Sequence, residues 1–541
     1  MKTDLSEKQE QSNFSLSPDG NGVPLPQEAD YRAEKERLMS LVTQQRSQGR
    51  EIVVVMGLGF VGSVMAGVVA DAVDFRTECP LYFVIGMQRP SPRSFWKISC
   101  LNQGVAPVEA EDPEVAPLIK RCVLDKQTMT ATFAYDALEL ADVVVVDVQC
   151  DYHKNELGNV RNGYAEIKAL EESLKVIGDR IRPDCLVLIE TTVPPGTTEY
   201  VAYPIIKNAF DSRGLHHEEP CLAHSYERVM PGREYVASIR DFWRVCSGIN
   251  EQAREKVVRF LSNVLNVEKY PLTVLDRPIE SETCKIVENS YRATTLAFLD
   301  EWSRFAERNG VDIIKVIDAI RVRPTHSNII FPGPGIGGYC LPKDGGLGFW
   351  SYHTLMGFED DIFKMTPMAI DINDTRSLQV AQLVRDALRN MGKVVAASKI
   401  ALLGASYRQD VGDTRYSGSE MIVRKLTEMN GEVRVHDPYV KHWWELEKQQ
   451  DYPAPGLSWS RFFRNQENLP KLRITETLAE AVANADAVIL AVRHSEYLEL
   501  SADELVRMIG KPAAIIDCFG ILTDDGIRRY LELGCEVKGL G

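Results

Sequence analysis

The segment EIVVVMGLGFVG, residues 51–62, leaves this chain few folds to choose from. A valine-rich run enters a Gly-x-Gly-x-x-Gly turn, and the apolar sequence that follows reads as a helix. Gly57 permits the tight turn, Gly59 lets backbone approach a diphosphate, and Gly62 allows close helix–strand packing. Phe60 and Val61 complete the loop. The helix start then offers amide donors and a positive dipole end to an anion. The context predicts a dinucleotide-binding βαβ unit.

Beyond it, short apolar runs alternate with longer amphipathic ones: Leu81 to Gly86, Ala141 to Val148, Cys185 to Glu190 and Pro220 to His224. Continuous β-branched runs between helical stretches imply parallel strands covered on both faces. From about Ile279 to Ile320 the pattern changes. Ile286, Ser290, Ala293, Ala297 and Trp302 recur at helical spacing, which predicts one long helix. A loop rich in glycine, PGPGIGGYCLPKDGG, and more helix follow, to Met391. The alternation then resumes at KIALLGASYRQD and runs through Glu432 to Pro438, Ala485 to Val492 and Ala513 to Cys518. The expected class is α/β, with two doubly wound Rossmann-like domains joined by a long central helix and a helical middle domain. The boundaries read as a mobile polar tail over 1–50, a dinucleotide domain over 51–275, a helical domain over 276–395 and a second Rossmann-like domain over 396–541. Within the tail, the charged stretch from Tyr31 to Arg50 has some helical character.

A formal net charge of -15 argues against a nucleic-acid partner, whose binders carry a basic face. It leaves room for a local basic pocket. The 11 cysteines form no C-x-x-C pair, which favours reduced thiols over a zinc site or a disulfide framework. The first residues lack the apolar core of a secretory signal, and no apolar run is long enough to span a bilayer. The expectation is a cytoplasmic protein with no membrane insertion and no metal.

The strand after the glycine turn should end in an acid that holds the ribose of NAD. Here it ends VIGMQRPSPRS, with Gln88 in that place and Arg89 and Arg93 beside it. Arginine at this edge is how a 2′-phosphate is accommodated, so NADP stays open beside NAD. Further on, FPGPGIGGYCLPKD sets Cys340 among glycines, with Lys343 and Asp344 close behind. A lone cysteine is more often a small buried hydrophobe. Gly335, Gly337 and Gly338 let backbone approach a ligand, and Lys343 would favour the thiolate. On the predicted central helix, Lys285, Asn289 and Arg292 fall at i, i+4 and i+7 and share one face.

These motifs resemble the UDP-glucose/GDP-mannose dehydrogenase family over residues 51–541. The markers are GLGFVG, ETTVPPGT (Glu190 to Thr197), ERVMPG (Glu227 to Gly232), KIVENSYRA (Lys285 to Ala293), GGYCLPKD (Gly337 to Asp344) and YRQDVGDTRYS (Tyr407 to Ser417), in the family's order. The resemblance implies a four-electron oxidation at C6 of a sugar with two successive NAD molecules, and Cys340 as the nucleophile. It assigns Lys285 and Asn289 to the C6 oxygen and oxyanion, Glu227 to general-base hydrolysis, and Thr192 and Asp344 to orienting water and neighbouring groups. Thr192 and Lys343 also fall among its cofactor contacts.

For the substrate, the resemblance points to Arg408, to Arg321 and Arg323, and to Arg228, Arg292 and Gly337. Arg415 is expected to pair with Asp410 or Asp413 instead. The ER-x-x-PG pattern at Glu227 and the PGPG before Cys340 look like the branch acting on UDP-N-acetylhexosamines, with UDP-glucose as the alternative. Where the family reads I-D-G-R-N, this chain has IDCFGIL, with Phe519 at the arginine's place. Two other readings stand beside this one: a two-electron dehydrogenase without covalent chemistry, and a nucleotide-sugar-binding regulator that has lost turnover. The family also implies a homodimer or higher homo-oligomer.

Overall fold

The computed structural model describes residues 13–17, 20–108, 110–230, 232–448 and 458–539. The chain packs as two compact units, one of residues up to 151 with 166–285, the other of residues 152–165 with 286–541.

In the first unit, eight strands form one sheet: β1 (Glu51–Met56), β2 (Tyr82–Met87), β3 (Met129–Thr132), β4 (Val143–Val146), β5 (Leu186–Ile189), β6 (Cys221–His224), β7 (Val245–Gly248) and β8 (Thr273–Leu275). Their order is β8-β7-β6-β5-β4-β1-β2-β3, and every pair is parallel except β6 with β7. Alternate residues of β1 serve opposite faces: Val53 and Val55 join one core, Ile52 and Val54 the other. With both faces covered, a strand has no polar positions to offer, which is why it reads as an unbroken apolar run. The glycine turn leads from β1 into helix α1 (Phe60–Asp71), buried from Gly62 to Ala70.

The expected mobile tail over 1–50 is corrected for its second half. Residues Glu28–Ser47 form a 20-residue helix that buries Leu38, Val42 and Gln45. Leu38 and Val42 enter the same core as Ile52, Val54 and Phe83. Arg37 donates to the Thr130 hydroxyl at 3.1 Å and the Ala131 carbonyl at 3.2 Å, on β3. A narrow stripe of apolar residues suffices because the rest of the helix stays in water. Before it, Phe14–Leu16 pairs antiparallel with Gly22–Pro24. Residues 1–12, 18 and 19 of the tail lie outside the described residues.

The second unit holds a five-stranded all-parallel sheet of β9 (Lys399–Leu403), β10 (Glu432–His436), β11 (Ala487–Leu490), β12 (Ala514–Asp517) and β13 (Glu536–Gly539), in the order β10-β9-β11-β12-β13. The helical middle packs on it. Helix Met365–Asn390 sends Val380, Ala381, Val384, Ala387 and Leu388 into the core that holds Ile400 and Leu402. A hairpin of Asp151–Lys154 and Gly163–Glu166 also contributes, and its Lys154 pairs with buried Asp374 at 2.6 Å.

The long helix, α2, runs from Pro278 to Asn309. Ile286, Ala293 and Ala297 are buried as their spacing predicts, but Trp302 is 49% exposed. It belongs to a second apolar stripe with Val287, Tyr291, Phe298 and Phe305, all of them exposed. At 100° per residue these five fall within about 60° of arc, on another side of the helix from Ile286.

If the N-terminal helix is part of the core, Leu38→Ala should lower unfolding stability by about 2–4 kcal/mol. Urea denaturation of the full chain checks this, and an unchanged midpoint would show the helix to be an adornment.

Candidate active site

The glycine turn is shaped by its neighbours. Gly57 has φ +107°, and a Cβ there would stand 2.4 Å from the Asp147 carbonyl oxygen. A Cβ on Gly62 would lie 2.0 Å from the Gly57 oxygen. Around Gly59 there is open space, which is what a pyrophosphate approaching the helix start requires. These residues therefore fit a dinucleotide. The loop is held from three sides: Leu58 N–H donates to Gln88 Oε1 at 2.9 Å, Lys97 Nζ donates to the Leu58 carbonyl at 2.8 Å, and the Tyr235 hydroxyl donates to the Phe60 carbonyl. Tyr235 also stacks on Phe60, with centroids 4.6 Å apart. Val61 is half-buried at the helix start, and Arg89 is exposed.

Three carboxylates gather beside this loop, and sequence reasoning singled out only Glu227. Asp147 follows β4 and Glu190 follows β5, so both stand at carboxyl ends of parallel strands, where ligands of such sheets bind. Asp147 lies against Gly62, and Glu190 pairs with Arg244 at 2.7 Å, both almost wholly buried. The Asp147 and Glu190 carboxyls are close enough for the charge of one to bear on the other. Burial, and then the negative charges of Glu190 and Glu227, hold Asp147 well above the usual carboxylate range. Burial also raises Glu190, against the pull of Arg244. The one legible hint was an acid closing each apolar run. Next to this cluster, His224 Nδ1 meets the Ser281 hydroxyl at 2.6 Å, and burial lowers the imidazole to about 3, so it is neutral.

Lys285 is 7% exposed; its ammonium donates to the Glu227 carbonyl oxygen at 2.9 Å and stands 3.9 Å from the Glu227 carboxylate. The Glu227 carboxylate in turn accepts from the Val229 N–H. Arg228, expected to face substrate, donates to the Trp243 carbonyl at 2.8 Å and the Tyr226 hydroxyl at 3.0 Å. Those bonds give it a structural duty in shaping the 226–229 segment. Thr192 is half-buried in the loop after β5. Pro231 of the ERVMPG motif lies outside the described residues.

In the second unit, Asp344 is the hub of the cysteine loop. It is fully buried, and its two oxygens accept separately from Lys343 Nζ at 2.8 Å and Asn289 Nδ2 at 2.7 Å. Lys343 is itself 1% exposed and stands over the Tyr339 ring. It orders Asp344 from the interior of the unit. The amides of Lys343 and Asp344 both donate to the Cys340 carbonyl, folding a turn that leaves Cys340 half-buried. Gly337 and Gly338 press against Tyr407: a Cβ on Gly337 would lie 2.2 Å from the tyrosine's Cβ.

The remaining arginines divide. Arg415 makes a bidentate pair with Asp413, as close as 2.6 Å, and Asp410 holds Ser495 instead. Arg408, Arg292, Arg321 and Arg323 are exposed. Phe519 packs on Gly333, a Cβ there standing 2.9 Å from the ring. None of the 11 cysteines is in a disulfide, and among the described residues no cluster of His, Cys, Asp or Glu could hold a metal.

A diphosphate turn on one doubly wound unit, and a glycine–cysteine loop in a unit built on a second such sheet, are the parts of a nucleotide-sugar dehydrogenase. The chain matches the NAD binding domain of the UDP-glucose/GDP-mannose dehydrogenase family over residues 51–264, its central domain over 279–374 and its UDP binding domain over 401–524, and it belongs to that family. It is thus an NAD-dependent oxidoreductase of UDP-sugars. It is similar to the UDP-N-acetyl-D-mannosamine dehydrogenase of Pyrococcus horikoshii, 25% identical over 490 residues, 90% of this chain and 99% of the relative. The UDP-glucose 6-dehydrogenase of Rickettsia conorii is 24% identical over 82% of this chain and 92% of its own. Among solved structures, an NDP-N-acetyl-D-galactosaminuronic acid dehydrogenase from Methanosarcina mazei Go1 superposes with a TM-score of 0.71 at 27% identity, over 93% of this chain and 97% of its own.

The carboxyl pair generates a pH prediction. Asp147 is protonated in the folded chain at pH values where an unfolded aspartate, near 3.8, is ionised. Folding therefore takes up a proton, and stability falls as pH rises above 3.8 until that proton leaves. Asp147→Asn is close to isosteric and deletes the titration. The variant's melting temperature minus the parent's should climb from pH 5 to pH 8.5; a flat difference would disprove the raised Asp147 carboxyl.

Proposed function

We propose that the chain oxidises C6 of a UDP-N-acetylhexosamine, the N-acetylglucosamine or N-acetylmannosamine sugar, from primary alcohol to carboxylate through a covalent thioester on Cys340. The observation that carries the reading is the Asn289–Asp344–Lys343 chain of hydrogen bonds. It fixes the turn that begins at Cys340 to the helix that also bears Lys285, one turn before Asn289.

Gly57, Gly59 and Gly62 would hold NAD, which when bound would supply the hydride acceptor for each of two oxidations. The chain's own residues do the rest. Lys285, a buried cation, stabilises negative charge developing on the C6 oxygen, and Asn289 adds an amide donor. The Cys340 thiolate adds to the carbonyl carbon of the aldehyde, and the resulting thiohemiacetal is oxidised to the thioester. Glu227 takes a proton from water, with Thr192 helping to orient it; the water adds to the thioester carbon and the Cys340 sulfur departs. The acetamido sugar is favoured over glucose by the ER-x-x-PG sequence at Glu227 and by the acetamido names borne by relatives at 25% and 27% identity. Arg408 and Arg323 are offered to the diphosphate.

Two more features belong to the reading. The stripe of Val287, Tyr291, Phe298, Trp302 and Phe305 is an apolar helix face of the kind that a second copy of the chain covers, giving a homodimer. Unbonded cysteines suit a cytoplasmic setting.

With UDP-N-acetylmannosamine or UDP-N-acetylglucosamine, two reduced cofactors should form per uronate, and Cys340→Ala should lower uronate formation at least a thousandfold. Turnover of UDP-glucose with no activity on either acetamido sugar would overturn the substrate; full activity of the alanine variant would overturn the covalent step. Light scattering should give twice the chain mass, falling to one chain in Phe298→Glu.

A further inference from the structure

The adenosine edge of the dinucleotide site carries a chemistry that the pyrophosphate turn does not require. Residues 88–97, QRPSPRSFWK, contain three cations and no acid, in a chain whose net charge is -15. An acid at the end of β2 would accept hydrogen bonds from the ribose hydroxyls and repel a phosphate placed on them. Gln88 stands there instead, and its carboxamide is engaged at both ends: Oε1 accepts from Leu58 N–H at 2.9 Å and Nε2 donates to the Ser94 hydroxyl at 3.1 Å. The end of β2 therefore carries no carboxylate, and the link that Gln88 makes to the phosphate turn is neutral.

Around Gln88 the donors converge. Ser94 meets Ser91, hydroxyl to hydroxyl, at 2.7 Å, and Arg89 follows Gln88 directly. The Arg89 guanidinium reaches Glu172 at 3.9 Å, with both side chains more than half exposed. Such a pair contributes little and exchanges readily for a doubly charged phosphate, which a guanidinium grips with two parallel hydrogen bonds. The turn is anchored: the Trp96 N–H donates at 3.1 Å to the hydroxyl of fully buried Ser15, in the N-terminal hairpin, and Lys97 is tied to the Leu58 carbonyl. Arg89, Ser91 and Ser94 thus sit on a framed loop.

We propose that this edge is a 2′-phosphate subsite, so that the chain accepts NADP in the same site as NAD, with Arg89, Ser91 and Ser94 as the phosphate contacts. The inference rests on residues 57–62 being the pyrophosphate cradle.

Calorimetric titration of the full chain with NAD+ and with NADP+, without sugar, tests it. NADP+ should bind at least as tightly as NAD+. Arg89→Glu should raise the ratio of the NADP+ to the NAD+ Kd at least tenfold, about 1.4 kcal/mol. On the parent chain, adenosine 2′,5′-bisphosphate should outbind 5′-AMP, a comparison that needs no variant to fold. NADP+ binding weaker than NAD+, a smaller change of the ratio in Arg89→Glu, or no preference between the adenosine nucleotides would each overturn the subsite. Binding of neither dinucleotide would overturn the cradle itself, and the subsite with it, so the two failures are told apart.

Discussion

Helix α2 buries charge, and the placement of the functional loops follows from that. Glu282, Lys285 and Asp300 are 1%, 7% and 3% exposed, a condition that is tolerable only when each group is paired and hydrogen-bonded. The partners come from the segments packed along the helix. Glu282 accepts from the Gly196 and Thr198 amides and the Thr198 hydroxyl, pinning the turn that ends ETTVPPGT. Burial still outweighs those three donors and pushes its carboxyl up to about 7. Lys285 holds the Glu227 segment, Asn289 holds Asp344, and Asp300 pairs at 2.5 Å with Arg376, which donates to the Gly333 carbonyl of the PGPG run. The helix works as a rack, and removing a peg would leave an uncompensated charge as well as a loose loop.

The sheets were legible because burial on both faces strips polar residues out of a strand. Every apolar run read from the sequence contains a strand, while MTAT, VCSG and TVL escaped notice, being short and lacking a hydrophobic surplus. The N-terminal helix was misjudged for the opposite reason. Its sequence is mostly charged, and the three residues it buries carry no weight in a composition count. In the active site, residues within one motif were readable: Lys285 with Asn289 by helical spacing, Cys340 with Asp344 by proximity. The Asp147–Glu190–Arg244 group was not, since its members lie on three strand ends far apart in sequence and meet only when the sheet forms.

In the cysteine loop, geometry adds to the chemistry read from neighbouring residues. Three residues from a thiol, Lys343 suggests direct electrostatic activation of the thiolate. Its ammonium donates to Asp344, whose other oxygen takes Asn289. Lys343 thereby also helps to hold the turn whose two amides converge on the Cys340 carbonyl.

Phe519 completes the same logic at the other end of the loop. A family member with arginine there would bring a charge to the substrate; here the aromatic ring fills the space above Gly333, and Asp517 accepts from the amides of Phe519, Ile521 and Leu522 to fix the turn. Packing has replaced charge at a place that now supports PGPG from behind. The arginines of the second unit stand in different surroundings. Arg415 is held by Asp413 and Arg376 by Asp300, and Arg408 is exposed beside the Tyr407 that packs on Gly337.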